Sequence, residues 1–174
     1  MKHKNEIEIL YEISLNIGTS LNLNKMLHQA LTTLMDLLNC SAAEVLQGRI
    51  NDELITWESL EALPRTIRKK EKYKQFYRES NLPKDIDECM KWEEFLPLQV
   101  CQKKKILYLF HLPDFGVLML EKNGEKFSEF FMKALQEVLV KLASAARFCI
   151  AEKSLKEERQ RLDDIITGTN AGTW

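Results

Sequence analysis

Between Gly124 and Gly168 the chain runs for 43 residues without a glycine or a proline. Those two residue types most readily end a helix, so the stretch predicts a single long one. Ser128 suits its N-cap, with Phe127 before it and Met132 four positions into the helix as a hydrophobic staple. A helix over 129–166 is roughly 55–60 Å long, about twice the diameter of a small domain. Its first half must therefore pack on a domain and its second half must protrude. Phe131, Leu135, Val138, Leu142 and Ala145 give the first half an apolar face. Beyond Phe148 the apolar positions thin to Leu155, Leu162 and Ile165/Ile166 among many charges. Phe148, Leu155 and Leu162 are spaced by seven, the coiled-coil repeat, although Glu158 sits at the intervening core position.

The whole chain has 174 residues, of which 45% are hydrophobic, enough for one domain with a real core and no covalent staples. Twenty-five basic residues against 26 acidic ones argue against a dedicated nucleic-acid binder. No run of apolar residues is long enough to span a membrane, and the charged amphipathic start does not resemble a signal peptide. The expectation is a cytoplasmic protein. Cysteines at 40, 89, 101 and 149 form no Cys-x-x-Cys pair and none lies within a few residues of a histidine. They read as reduced thiols, mostly buried, with no metal site implied.

Upstream of the long helix, Ile7, Leu10, Ile13 and Ile17 give residues 5–18 helical spacing, with Ile9 widening the stripe. A second helix is expected from Lys25 to Asn39, with Asn24 as its N-cap. Strands follow over 41–47 and 53–59, joined by a turn at Gly48 and Asn51-Asp52. Residues 60–97 hold three of the four prolines, a basic run and an acidic run, so one or two short helices between long loops are expected there. Leu98–Gln102 reads as a strand, and the lysine triplet 103–105 as a tight turn. Residues 106–111 are apolar at both alternating sets of positions, as in a strand covered on both faces. Pro113-Asp114-Phe115-Gly116 then turns the chain into an antiparallel return over 117–120. The class is α+β.

This order, with the wording at both ends, resembles a GAF domain over about residues 5–150. The likeness rests on Leu10-Tyr11-Glu12-Ile13-Ser14-Leu15, on Leu21-Asn22-Leu23-Asn24-Lys25-Met26-Leu27, and on the segment 112–120 followed by Phe127-Ser128-Glu129. It implies an antiparallel sheet with the N- and C-terminal helices on one face. On the other face it implies a pocket roofed by the irregular middle. The helical face commonly forms a homodimer interface in this family. Residues 158–174 look like the connecting helix and first residues of a PAS domain, so residues 151–174 are expected to be a protruding signalling helix and a PAS threshold. A GAF–PAS order resembles signalling proteins, most often histidine kinases. A small-molecule ligand, and PAS and kinase domains downstream in the same protein, are thereby implied; the cofactor, if any, is left open.

Candidate pocket residues are His111 with Tyr108, Phe110 and Cys101, a set suited to a planar ligand or haem, and Trp57, Trp92, Phe95 and Phe115 nearby. The plainer alternative for each is core packing or an ordinary hydrogen bond. Leu10, Ile13, Ile17, Leu142, Phe148, Leu155, Leu162 and Ile166 are the candidate dimer and signalling seam. Arg65, Arg68, Lys69, Lys70, Lys72, Lys74 and Arg78 interleave with Tyr73, Phe76 and Tyr77, a pattern that serves a solvated helix face first, an anionic ligand second and nucleic acid last. Nearby Asp85, Asp87, Glu88, Glu93 and Glu94 are placed to neutralise it. The cyclic-nucleotide signature of GAF domains is broken, with Lys122-Asn123 reversed and Phe130-Phe131 where acids are wanted. The cysteine-histidine pair of bilin attachment is missing as well. No Ser/His/Asp set, phosphate loop or zinc spacing appears. The expectation is a non-catalytic sensory module. Its rivals are a structural GAF spacer with a filled pocket and a methionine sulfoxide reductase-like thiol enzyme using Cys89 and Cys101.

Overall fold

The computed structural model describes residues 2–79, 81–102 and 105–171. Helices α1 (Lys2–Asn16) and α2 (Leu23–Leu38) lead into strands β1 (Cys40–Asn51) and β2 (Leu54–Leu63). A 3-10 turn (Arg65–Lys69), α3 (Glu71–Glu79) and α4 (Ile86–Glu93) form the middle. Strands β3 (Leu98–Gln102), β4 (Lys105–Leu112) and β5 (Gly116–Asn123) precede α5 (Glu129–Ala171). All five strands pair antiparallel in the order β2-β1-β5-β4-β3. The fold is α+β, with its terminal helices together on one face of the sheet.

Alternation along the strands divides the core in two. On the helix face, Ala43, Val45, Tyr108, Phe110, Leu118 and Leu120 pack against Leu27, Leu31 and Leu34 of α2 and Leu135, Leu139 and Leu142 of α5. On the roof face, Ala42, Leu46, Leu107, Leu109, Val117 and Met119 lie under Ile67, Tyr73 and Phe76. Each fully buried aliphatic or aromatic side chain contributes roughly 1.5–3 kcal/mol, so both layers stabilise the sheet. At Gly116 an added Cβ would lie 1.9 Å from the Leu46 carbonyl oxygen, so only glycine lets β5 begin so close to β1.

Several boundaries differ from expectation. Asn22, not Asn24, caps α2: its side chain accepts from the Lys25 backbone N–H, and Asn39 closes the helix in the left-handed region. Strand β1 continues through Gly48 to Asn51, and the hairpin turns instead at Asp52 and Glu53, both with positive φ. Strand β2 extends to Leu63 because its ladder with β1 reaches Ala43. Ser128 caps α5 as expected, accepting from the Phe131 N–H at 3.0 Å. The helix then runs on past Gly168 to Ala171; one glycine costs only about 1 kcal/mol and does not force a stop. The helix is continuous through residue 150, as the single run expected over 129–166 requires. Of the proposed lysine turn, residues 103 and 104 lie outside the described residues, as do the last three residues of the PAS-like segment.

Candidate functional site

A cavity of about 370 Å³ opens at one end of the roof face. Strands β1 and β2 supply Gly48, Ile50, Ile55 and Trp57, and α4 supplies Cys89, Trp92 and Glu93. The end of β4 contributes His111, and the β4–β5 turn contributes Asp114 and Phe115. Local chemistry explains why these segments meet. Asp85 caps α4 by accepting from the Glu88 N–H at 2.8 Å, which fixes where the helix starts. The Trp57 indole N–H donates to the Pro83 carbonyl at 2.8 Å, tying β2 to the approach to α4. Trp57 and Trp92 then face each other at 6.2 Å between ring centroids, tilted by 56°. Across the cavity, Glu93 Oε1 meets His111 Nε2 at 3.2 Å and accepts from the Cys89 thiol at 3.4 Å. Burial, with Glu93 beside it, pushes the Cys89 thiol up to about 11. It is held as a thiol, not a nucleophilic thiolate.

Two contacts connect this cavity to α5. The Gln136 side chain clamps the His111 backbone, accepting from its N–H at 3.2 Å and donating to its carbonyl at 2.7 Å. Arg147 forms an ion pair with Asp114 at 2.5 Å. His111 and Asp114 both line the cavity, so its rim is fastened to the long helix at points three turns apart.

Of the expected pocket residues, the structure brings together Trp57, Trp92, His111 and Phe115. Tyr108 and Phe110 are the correction. Both are fully buried on the helix face, because residues 108 and 110 project opposite to 111 in a strand. Tyr108 instead anchors the start of α5, its hydroxyl accepting from the Phe127 N–H at 3.0 Å while the two rings meet at 4.7 Å. Cys101 pairs with Ile106, a helix-face residue, so it stands on the side of the sheet away from Cys89 and is exposed. Phe95 is exposed and does not line the cavity. Among the seam candidates, Leu10, Ile13, Ile17 and Leu142 are consumed by the chain's own core, leaving Phe148, Leu155, Leu162 and Ile166 exposed. Val138 and Ala145 flank rather than fill the buried stripe of α5, which passes through Leu139, Ala143, Ala146 and Cys149.

A second polar feature was not anticipated. Glu44 and Glu121 are buried on the roof face, beneath α3. Glu121 accepts from Lys72 at 2.5 Å, Lys105 at 2.6 Å, Tyr73 at 2.9 Å and Ser41 at 2.7 Å. Burial alone would raise its carboxyl, but these donors outweigh it and hold the pKa down at about 2. Glu44 accepts from the Tyr77 hydroxyl at 2.6 Å and from Ser59. These bonds, with Ile67 and Phe76, fill the space under α3. The basic run is neutralised differently from expectation: Lys72 by Glu121, and Lys74 and Arg78 by Glu71. Asp85 and Glu88 instead serve the start of α4, and Glu93 serves the cavity. An acid set within an apolar run, as in Ala42-Ala43-Glu44-Val45-Leu46 or Leu118-Met119-Leu120-Glu121, was the available sign of these buried carboxylates.

No protein-family model matches the chain, and no curated protein sequence does. Among solved structures, it is similar to the GAF domain of an Acinetobacter phosphoenolpyruvate-protein phosphotransferase, with a TM-score of 0.47 and 13% identity over 83% of this chain and 94% of that one. It is also similar to the phycoerythrobilin-bound GAF domain of a cyanobacterial phytochrome, with a TM-score of 0.45 and 13% identity over 85% of this chain and 97% of that one. Among the described residues, no helix is long and apolar enough to cross a membrane. No cluster of three or more His, Cys, Asp or Glu is arranged to hold a metal ion among them either.

Proposed function

We propose that the chain is a non-catalytic regulatory module of the GAF type, in which occupancy of the cavity is relayed through α5 to a paired copy and to downstream domains. The observation that carries this reading is the double fastening of the cavity rim to α5, through Gln136 to His111 and Arg147 to Asp114. A ligand that moves either rim residue must move the helix or break a bond to it. The exposed apolar positions Phe148, Leu155 and Leu162 give the far half of that helix a seam for a second copy. The PAS-like wording of the tail supports a signalling protein, with a histidine kinase as the class of output most often found in that order.

Light scattering tests the pairing. The chain should run as a dimer, and the double variant Leu155→Glu/Leu162→Glu as a monomer with an unchanged unfolding midpoint. A monomeric parent chain, or a variant that stays dimeric, overturns the seam. The filled space under α3 favours one second reading, that the module pairs and spaces other domains without binding anything. A thiol enzyme is disfavoured by the placement of Cys89 and Cys101 on opposite faces of the sheet.

A further inference from the structure

The cavity's lining has a chemical bias. Three aromatic rings, Trp57, Trp92 and Phe115, stand beside two carboxylates, Glu93 and Asp114, and among the described residues no lysine or arginine lines the space. Both contacts to Glu93 fall on Oε1, so its Oε2 faces no partner among the described residues. Aromatic faces carry negative quadrupolar charge, and with a carboxylate beside them they attract cations and repel anions. The volume is that of a small-molecule site.

We infer that the cavity takes a small organic cation, an ammonium or amidinium group on an apolar body. The apolar body lies against the paired rings of Trp57 and Trp92, and the charged group sits at Glu93 and within reach of Asp114. Phosphates, carboxylates and nucleotides are refused, since no lysine or arginine lines the space to receive them and the lining's imidazole, His111, is already engaged by Glu93. The inference rests on the regulatory reading and extends it: a cation at the rim competes with Arg147 for Asp114, which is how occupancy would reach α5.

The test uses the full chain with 15N-labelled tryptophan, following the indole N–H signals of Trp57 and Trp92 by NMR. Phenethylammonium and N-trimethylphenethylammonium are the cationic probes, and phenylacetate is the anion of similar shape. Both cations should shift the two signals in a saturable way, with phenylacetate at least tenfold weaker. Glu93→Gln, which keeps the side chain's shape, should weaken cation binding at least tenfold while its unfolding midpoint confirms that it folds. Phenylacetate binding as well as the cations, unchanged cation binding in Glu93→Gln, or no saturable shift with either cation overturns the inference. The mass of the same samples by light scattering separates this result from the regulatory reading: a dimer that ignores the cations sinks only the ligand class, whereas a monomer sinks the paired-helix relay as well.

Discussion

Glu121 shows how much a single buried carboxylate can hold in place. Its four donors come from α3, from the start of β4 and from β1, so one side chain pins the roof to three places at once. Replacing it by glutamine removes the charge that Lys72 and Lys105 face. Equilibrium unfolding in urea should show a loss of about 2–3 kcal/mol for Glu121→Gln. The pH dependence has a definite sign. The carboxyl is held at about 2 in the folded chain, against an ordinary value of 4.5. Its contribution is therefore complete above about pH 4.5 and is lost as pH falls toward 2. Urea midpoints across that window should drop for the parent chain, and the drop should be visibly shallower in Glu121→Gln. Equal slopes would mean that other acids govern the acid response.

At the scale of elements, burial separates residues that look alike in sequence. Leu142 and Leu155 are both leucines on α5, yet Leu142 is 0% exposed and Leu155 48%. Leu142→Ala should cost about 2–5 kcal/mol in thermal or urea unfolding because it leaves a cavity in the core; a cost below 1 kcal/mol would contradict the packing described. The order of helices and strands was legible because it depends on local patterning, such as the apolar run of β4 and the unbroken composition of α5. Parity along β4 was legible too, and counting by two from His111 would have placed Tyr108 and Phe110 on the far face. What patterning does not carry is the depth of a charged residue. Glu44 and Glu121 reach their partners across separations of 33 and 48–49 residues through Tyr77, Tyr73 and Lys72. The cavity was half-legible for the same reason: its tryptophans stood out by type, but Glu93 and Asp114 joined them only once α4 and the β4–β5 turn were packed together.

At the scale of the whole molecule, α5 is a rod of about 65 Å with one end embedded and the other free. Along it, the embedded stripe ends at Cys149 and the free stripe starts at Phe148, its immediate neighbour. Adjacent residues on a helix are about 100° apart, so a partner helix would lie beside the domain's flank and not behind it. Angle along the rod is therefore information, and it has a phase. One alanine inserted after Glu152 would advance everything beyond it by about 100°, taking Leu155 and Leu162 out of line with Phe148. Seven inserted residues would bring them back to within about 20°. By light scattering the single insertion should dissociate the pair and the sevenfold one should keep it, though both leave the domain's core intact. If the two behave alike, the helix is only a tether; if they differ, its length is counted in turns.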